Sequence, residues 1–224
     1  MLQLIHLKKM YGKNVILADV NCVIENEGIY PVLGADGAGK TTLFKCINGD
    51  VKPDGGSVKT KAKQNIFMAA KESVLPEYVT GYEFIDFICK LKKEAKKPET
   101  YLEMVKFPED MEHVIIRDYS FELKKRIQLA AFLVQKPYVM LFDDALDDCS
   151  EDFVETFFDI LEGVKDRHII LISTKRLDIA RRISEDVFIL NNKEINCVSG
   201  EMFDIPEMRQ AIDEILGEDN DSVD

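Results

Sequence analysis

Nine residues constrain this chain more than any others: Gly34-Ala35-Asp36-Gly37-Ala38-Gly39-Lys40-Thr41-Thr42. They fit the pattern G-x-x-x-x-G-K-[ST], with Thr41 at the Ser/Thr position. Glycines let the backbone wrap a polyphosphate closely with its N–H groups turned inward. Lys40 brings a mobile cation to the β/γ oxygens, and the Thr41 hydroxyl can ligate Mg²⁺. The flanks have the required order. Gly28 to Leu33 reads as a short buried strand, and Thr41 to Ile47 as the helix that follows. A Gly-rich turn that merely contains a lysine would not need a strand before it and a helix after it.

The rest of the chain supplies a sheet for that loop. Met1 to Leu7 and Val15 to Ile24 read as strands around a turn at Tyr11-Gly12-Lys13-Asn14. Val51 to Ser57 is a turn cluster, and Asn65 to Ala69 a further short strand. From Thr80 to about Lys106 the apolar spacing turns helical, through Phe84, Ile85, Ile88 and Leu91, then Tyr101, Leu102 and Val105. Phe121 to Gln135 is a longer helix. Strand and helix then alternate: Tyr138 to Phe142, Glu151 to Leu161, His168 to Ile172, Leu177 to Ile183, Val187 to Leu190. Ile195 to Val198 closes a hairpin, and Ile205 to Leu216 is a last helix. The expected fold is α/β: a P-loop core with a mainly parallel sheet, an N-terminal antiparallel β arm and a helical insert. One domain is expected over 1–217, with the helical subdomain at about 72–135 and a disordered acidic tail at 218–224.

Composition narrows the class by exclusion. No apolar run approaches the ~18–20 residues of a membrane span, and the first residues carry no secretory pattern. Five scattered cysteines without C-x-x-C spacing point to reduced thiols, not to a disulfide frame or zinc site. A net charge of −12 argues against nucleic acid, for which a basic face is needed. The basic run Lys90 to Lys97 reads as a solvated helix end. His6, His113 and His168 fill no catalytic slot. Asn192-Lys193-Glu194 lacks the Asp of a guanine-reading motif, and Asp147-Asp148 reads as a solvated loop.

A second element carries chemistry. Val139-Met140-Leu141-Phe142-Asp143-Asp144 is an apolar strand ending in acid. Rigid, buried support with charge at the strand's carboxyl edge is what a Mg²⁺-associated carboxylate needs, and Asp143 fits. Asp144 stands where a general base or water-orienting group would lie.

With these motifs in place, residues 1 to about 200 resemble the ATP-binding subunit of ABC transporters. Lys9 to Lys13 is similar to the family's opening loop, and the resemblance implies that Tyr11 stacks on adenine. Lys52 to Val58 resembles the turn after the first helix. Tyr119-Ser120-Phe121-Glu122-Leu123-Lys124-Lys125-Arg126 falls where the Leu-Ser-Gly-Gly-Gln signature belongs, and Ser120 precedes Asp143 by 143 − 120 = 23 positions, the family's usual spacing. Ile170 to Lys175 resembles the later strand and switch.

The departures are equally specific. The family's catalytic Glu is here Asp144, one methylene shorter, and a shift of about 1 Å can cost ~10²-fold when water must be positioned. A signature glycine that approaches the opposite nucleotide is Glu122. Lys71 stands nearest the Gln-loop position, Lys175 replaces the switch His, and Ser150 replaces an Asp.

The resemblance implies ATP and Mg²⁺ as ligands. Tyr11, Gly34, Asp36, Gly37, Ala38, Gly39, Lys40, Thr41, Thr42 and Ser120 would bind nucleotide. Thr41 and Asp143 would hold the metal, and Asp144 and Lys175 would act in catalysis. It further implies a homodimer or heterodimer of ATPase subunits, and a separate integral-membrane permease that places the chain in the cytoplasm on the inner face of the plasma membrane. The short layout favours export. The alternative is an ATP-binding but hydrolysis-poor subunit that acts as a nucleotide-gated switch or as the degenerate half of a heterodimer.

Overall fold

The computed structural model describes residues 1–61, 65–72, 74–92, 96–184 and 186–217. The tail expected to be disordered lies outside them, as does the middle of the Lys90–Lys97 run.

The chain opens on a hairpin, β1 (Leu2–Tyr11) and β2 (Asn14–Ile24), turning at Gly12 with φ 61°. Strand β3 (Gly28–Leu33) leads into the phosphate loop and helix α1 (Lys40–Asn48). Strand β4 (Gly55–Thr60) was not expected from the sequence, which placed a turn through Ser57. It returns to pair antiparallel with β1, giving a three-stranded arm in the order β2-β1-β4. Gly55 and Gly56 read as turn residues, yet the tertiary fit explains them. Gly56 has φ 72°, and a Cβ there would lie 2.1 Å from the His6 carbonyl oxygen. Opposite it, β1 shifts register between Ile5 and Lys8, with His6 itself at φ 47°. The glycine thus admits a bulge against a neighbouring backbone.

After β5 (Ile66–Ala69) come α2 (Gly81–Leu91), α3 (Pro98–Met104) and α4 (Phe121–Gln135). Thr80 caps α2 with a complete capping box to Glu83. Ser120 caps α4 by accepting from Leu123 N. Buried Ile85, Tyr101, Leu102, Val105 and Ile127 close this insert around one core. The helical spacing read from Thr80 to Lys106 therefore belongs to two packed helices.

The second half alternates as expected: β6 (Val139–Phe142), α5 (Glu151–Glu162), β7 (Ile169–Thr174), α6 (Leu177–Ile183), β8 (Val187–Asn191), β9 (Glu194–Val198) and α7 (Pro206–Leu216). The main sheet runs β5-β6-β7-β3-β8-β9. Its first five strands are parallel, and β9 returns antiparallel on β8. All four β6 residues are buried and all six of β7, the pattern of strands covered on both faces. Phe142, Phe153 and Phe157 interlock edge-on on one face of the sheet, and α1 plugs the other with Leu43, Phe44 and Ile47. The order brings the carboxyl ends of β6, β7 and β3 side by side, where a doubly wound sheet binds ligands.

Candidate functional site

The loop leaves β3 at Gly34, whose N–H donates to Thr174 O at 3.2 Å, so the end of β7 braces it. A Cβ on Gly34 would meet Leu190 O at 2.7 Å, and Gly39 at φ 107° lies against Ile16 of β2. These glycines are needed for close backbone approach as well as for conformation. Lys40 is 4% exposed; its Nζ donates to Gly34 O at 2.8 Å and Ala35 O at 3.2 Å. The cation is thus stored inside the loop, aimed along the path a polyphosphate would occupy.

Thr41 Oγ1 donates to Asp143 Oδ2 at 2.7 Å, joining the start of α1 to the end of β6 across 102 positions. Asp143 is fully buried, and its N–H donates to Ala69 O at 2.9 Å. A hydroxyl and a carboxylate oxygen side by side form the hard oxygen set that Mg²⁺ takes together with substrate phosphates. Among the described residues no cluster of three or more His, Cys, Asp or Glu could hold an ion alone. An open cavity of about 720 Å³ leads from Thr41 and Asp143 past Lys71 towards Lys45 and Asn48.

Asp144 follows at φ 43°, a left-handed conformation rare for a residue with a side chain. Its N–H donates to Ser173 Oγ at 2.9 Å, while that hydroxyl donates to Asp143 Oδ1 at 2.8 Å. Ser173, to which the sequence reading gave no role, fixes both acids. It sits two residues before Lys175, and no motif singled it out. The Asp144 carboxylate meets two cations: Lys71 Nζ donates to Oδ2 at 3.2 Å, and Lys40 Nζ lies 3.7 Å from Oδ1. The carboxylate beside it raises the Lys71 pKa, chiefly through that hydrogen bond.

Other expected residues fall into distinct settings. Lys175 Nζ donates to Asp36 Oδ2 at 3.0 Å, so the switch lysine reaches the phosphate loop and not Asp144. Both partners are about half exposed or more, and a pair so solvated is readily exchanged for a phosphate. Tyr11 is exposed at the tip of β1, with Lys9 Nζ 5.3 Å from its ring centre. Ser120 is exposed at the head of α4. Gly37 and Asp36 face solvent, and Ala38 and Thr42 are partly covered.

Glu122 does not project freely from the signature. It accepts from Arg126 Nε and Nη2 at 3.1 and 2.9 Å, and from Ser150 N at 2.9 Å. Arg126 also donates to Asp152. The extra negative charge is therefore paired within the chain, and the segment is clasped to the start of α5. Asp147 departs from the solvated-loop reading: it accepts from Thr174 Oγ1 at 2.7 Å, and burial pushes its carboxyl up. Lys125 was also missed. It is buried, and its Nζ donates to Ala70 O at 2.7 Å and Lys71 O at 2.9 Å, tying the Lys71 loop to α4.

The sequence profile of the ABC transporter family matches residues 17–147. The chain belongs to that family. It is 26% identical over 221 residues to an uncharacterised ABC transporter ATP-binding protein, YxlF, of Bacillus subtilis, covering 94% of this chain and 74% of that protein. It is 29% identical over 220 residues to the methionine import ATP-binding protein MetN 4 of Oceanobacillus iheyensis, covering 87% of this chain and 64% of that protein. The chain thus spans about two thirds to three quarters of these relatives. Its fold matches the solved dimeric ATP-binding cassette MJ0796 bound to ADP and Pi, with a TM-score of 0.79 at 19% identity over 89% of this chain and 99% of that one. As an ABC cassette, this chain is an ATP-binding ATPase domain. Among its described residues no helix is long and apolar enough to cross a membrane.

Proposed function

We propose that this cassette binds Mg-ATP between its own phosphate loop and the signature of a second ATPase subunit, and that closure of the pair drives a separate membrane permease. The observation that carries this reading is the 2.7 Å contact of Thr41 with buried Asp143, beside the buried Lys40. Lys40 would exchange its two loop carbonyls for phosphate oxygens. Thr41 and Asp143 would hold Mg²⁺, which when bound offsets charge on the transferring phosphoryl group. Asp36 through Thr42 would line the phosphates, Tyr11 would cover adenine, and Ser120 would face the partner's nucleotide. Asp144 would orient the attacking water and take its proton.

Hydrolysis by this set is slow. Lys71 Nζ holds the carboxylate that would accept the proton, and that 3.2 Å contact must break before a water can take the cation's place. The nucleotide-gated switch therefore gains support from the Lys71–Asp144 contact. On this reading residues 1–217 act as one domain with a helical subdomain at about 72–135, and the insert at about 72–118 carries the permease contact. The subunit works at the cytoplasmic face, with export as the direction to be tested. Phe87 of α2 is exposed, whereas Tyr82 and Phe84 pack partly on the core.

Lys40→Ala should weaken Mg-ATP binding tenfold or more, about 1.4 kcal/mol, by calorimetry. Unchanged affinity would remove the phosphate-loop assignment. In vesicles holding the subunit and permease, with ATP outside, export predicts ATP-driven cargo uptake into the lumen, and ATP-driven efflux would show import instead.

A further inference from the structure

A second cavity lies at the opposite edge of the sheet from the phosphate loop. Asp143 and Thr174 stand at the carboxyl ends of β6 and β7; this cavity opens beside His168, which precedes β7, and Lys136, which ends α4. Its volume is about 300 Å³. Tyr101 and Met104 of α3, Phe132 of α4 and Val164 make it mainly apolar. Lys96, Lys136 and Arg167 border it.

Those cations are unusual in their setting. The chain carries a net charge of −12, yet none of the three side-chain cations has an ion pair to a described residue. All three are exposed. Lys136 occupies a helix-ending position at φ 49°, where glycine would be unstrained. His168 beside them is held below its ordinary pKa by burial, and further by the charges of Arg167 and Lys136. Among the described lining residues no acid offsets that positive charge.

We propose that this cavity binds a small anionic amphiphile: one carboxylate or phosphate head on a single apolar chain. Arg167 and Lys136 would pair the head, for which a guanidinium fork is well shaped. The apolar lining would take the chain. A free phosphate would leave that lining wet, and a cationic amphiphile would meet three like charges. The volume sits at the low end of ligand pockets, which run roughly 300–1,000 Å³, so a medium-length chain fits better than a two-chain lipid.

Calorimetric titration of the full chain with decanoate, below its micellar range, tests this. Saturable one-to-one binding is expected, with decyl phosphate as the second arm to separate the head groups. Decyltrimethylammonium and inorganic phosphate should not bind here. Lys136→Gly with Arg167→Ala should weaken decanoate about tenfold, and the first change removes backbone strain, so the fold should survive. If that pair fails to fold, Arg167→Glu, an exposed charge reversal, should weaken binding at least as much. Lys40→Ala should leave decanoate affinity unchanged. The proposal falls if neither anionic amphiphile binds saturably, if the cationic amphiphile binds equally, if the folded variants bind like the parent, or if Lys40→Ala abolishes binding.

Discussion

At the scale of single residues, the departures from the family pattern act by rerouting charge. Asp144 keeps the acid of the family's catalytic position, but its carboxylate is occupied by Lys71 at 3.2 Å and approached by Lys40 at 3.7 Å. Both contacts come from residues far along the chain, and on the role proposed for Asp144 both would have to loosen before it could take a proton from water. Lys71→Gln should therefore raise steady-state ATP turnover, by roughly tenfold if the ion pair is the main restraint, a range that a misplaced or occupied group can cost. Asp144→Asn should abolish it and leave ATP bound. Phosphate release from the two variants decides: an Asp144→Asn protein as fast as the parent would show that another group takes the proton. Glu122 teaches the same lesson in reverse. Its charge looked disruptive as a bare letter, yet Arg126 and the Ser150 N–H enclose it.

At the scale of elements, α4 touches three separate parts of the molecule. Its head carries Ser120, its middle buries Lys125, and its end borders the second cavity. Lys125 Nζ is the tie to the Lys71 loop, and burial pulls its pKa down from 10.5 to about 8. Between those values the unfolded chain keeps a proton that the folded chain has released. Stability from this group therefore rises with pH across that window and is least below it. Urea unfolding at pH 7.5 and pH 9.5 should show the parent gaining about 1–2 kcal/mol relative to Lys125→Met; a relative loss would reverse the assignment. The β arm has its own weak point. Gly56→Ala would set a Cβ 2.1 Å from the His6 carbonyl in a left-handed backbone, and about 3 kcal/mol of destabilisation is expected in thermal or chemical unfolding. A neutral Gly56→Ala would mean that β1 and β4 can part there at no cost.

At the scale of the whole molecule, the sheet delivers three strand ends to one rim, and the insert stands beside them. Exposed Phe87 and Leu91 give α2 an uncovered apolar face. A cysteine at Phe87 should crosslink to the permease in the assembled transporter, and crosslinks found only from the β arm would move the contact elsewhere. Much of this was legible in the sequence. The strand–loop–helix around Lys40, the acid-tipped β6 and the alternation after residue 138 are local patterns, because close phosphate approach and two-sided burial each demand particular residues at fixed spacing. Tertiary structure decided what depends on distant partners. Strand β4 exists because β1 offers it a bulged edge, although its glycines alone signal a turn. Ser173 matters because β7 lies beside β6, which brings its hydroxyl to Asp143 and Asp144. Lys71 binds Asp144 across 73 positions. Spacing along a chain can place a charge on a rim, but only the packing of strands and helices fixes which opposite charge it meets there.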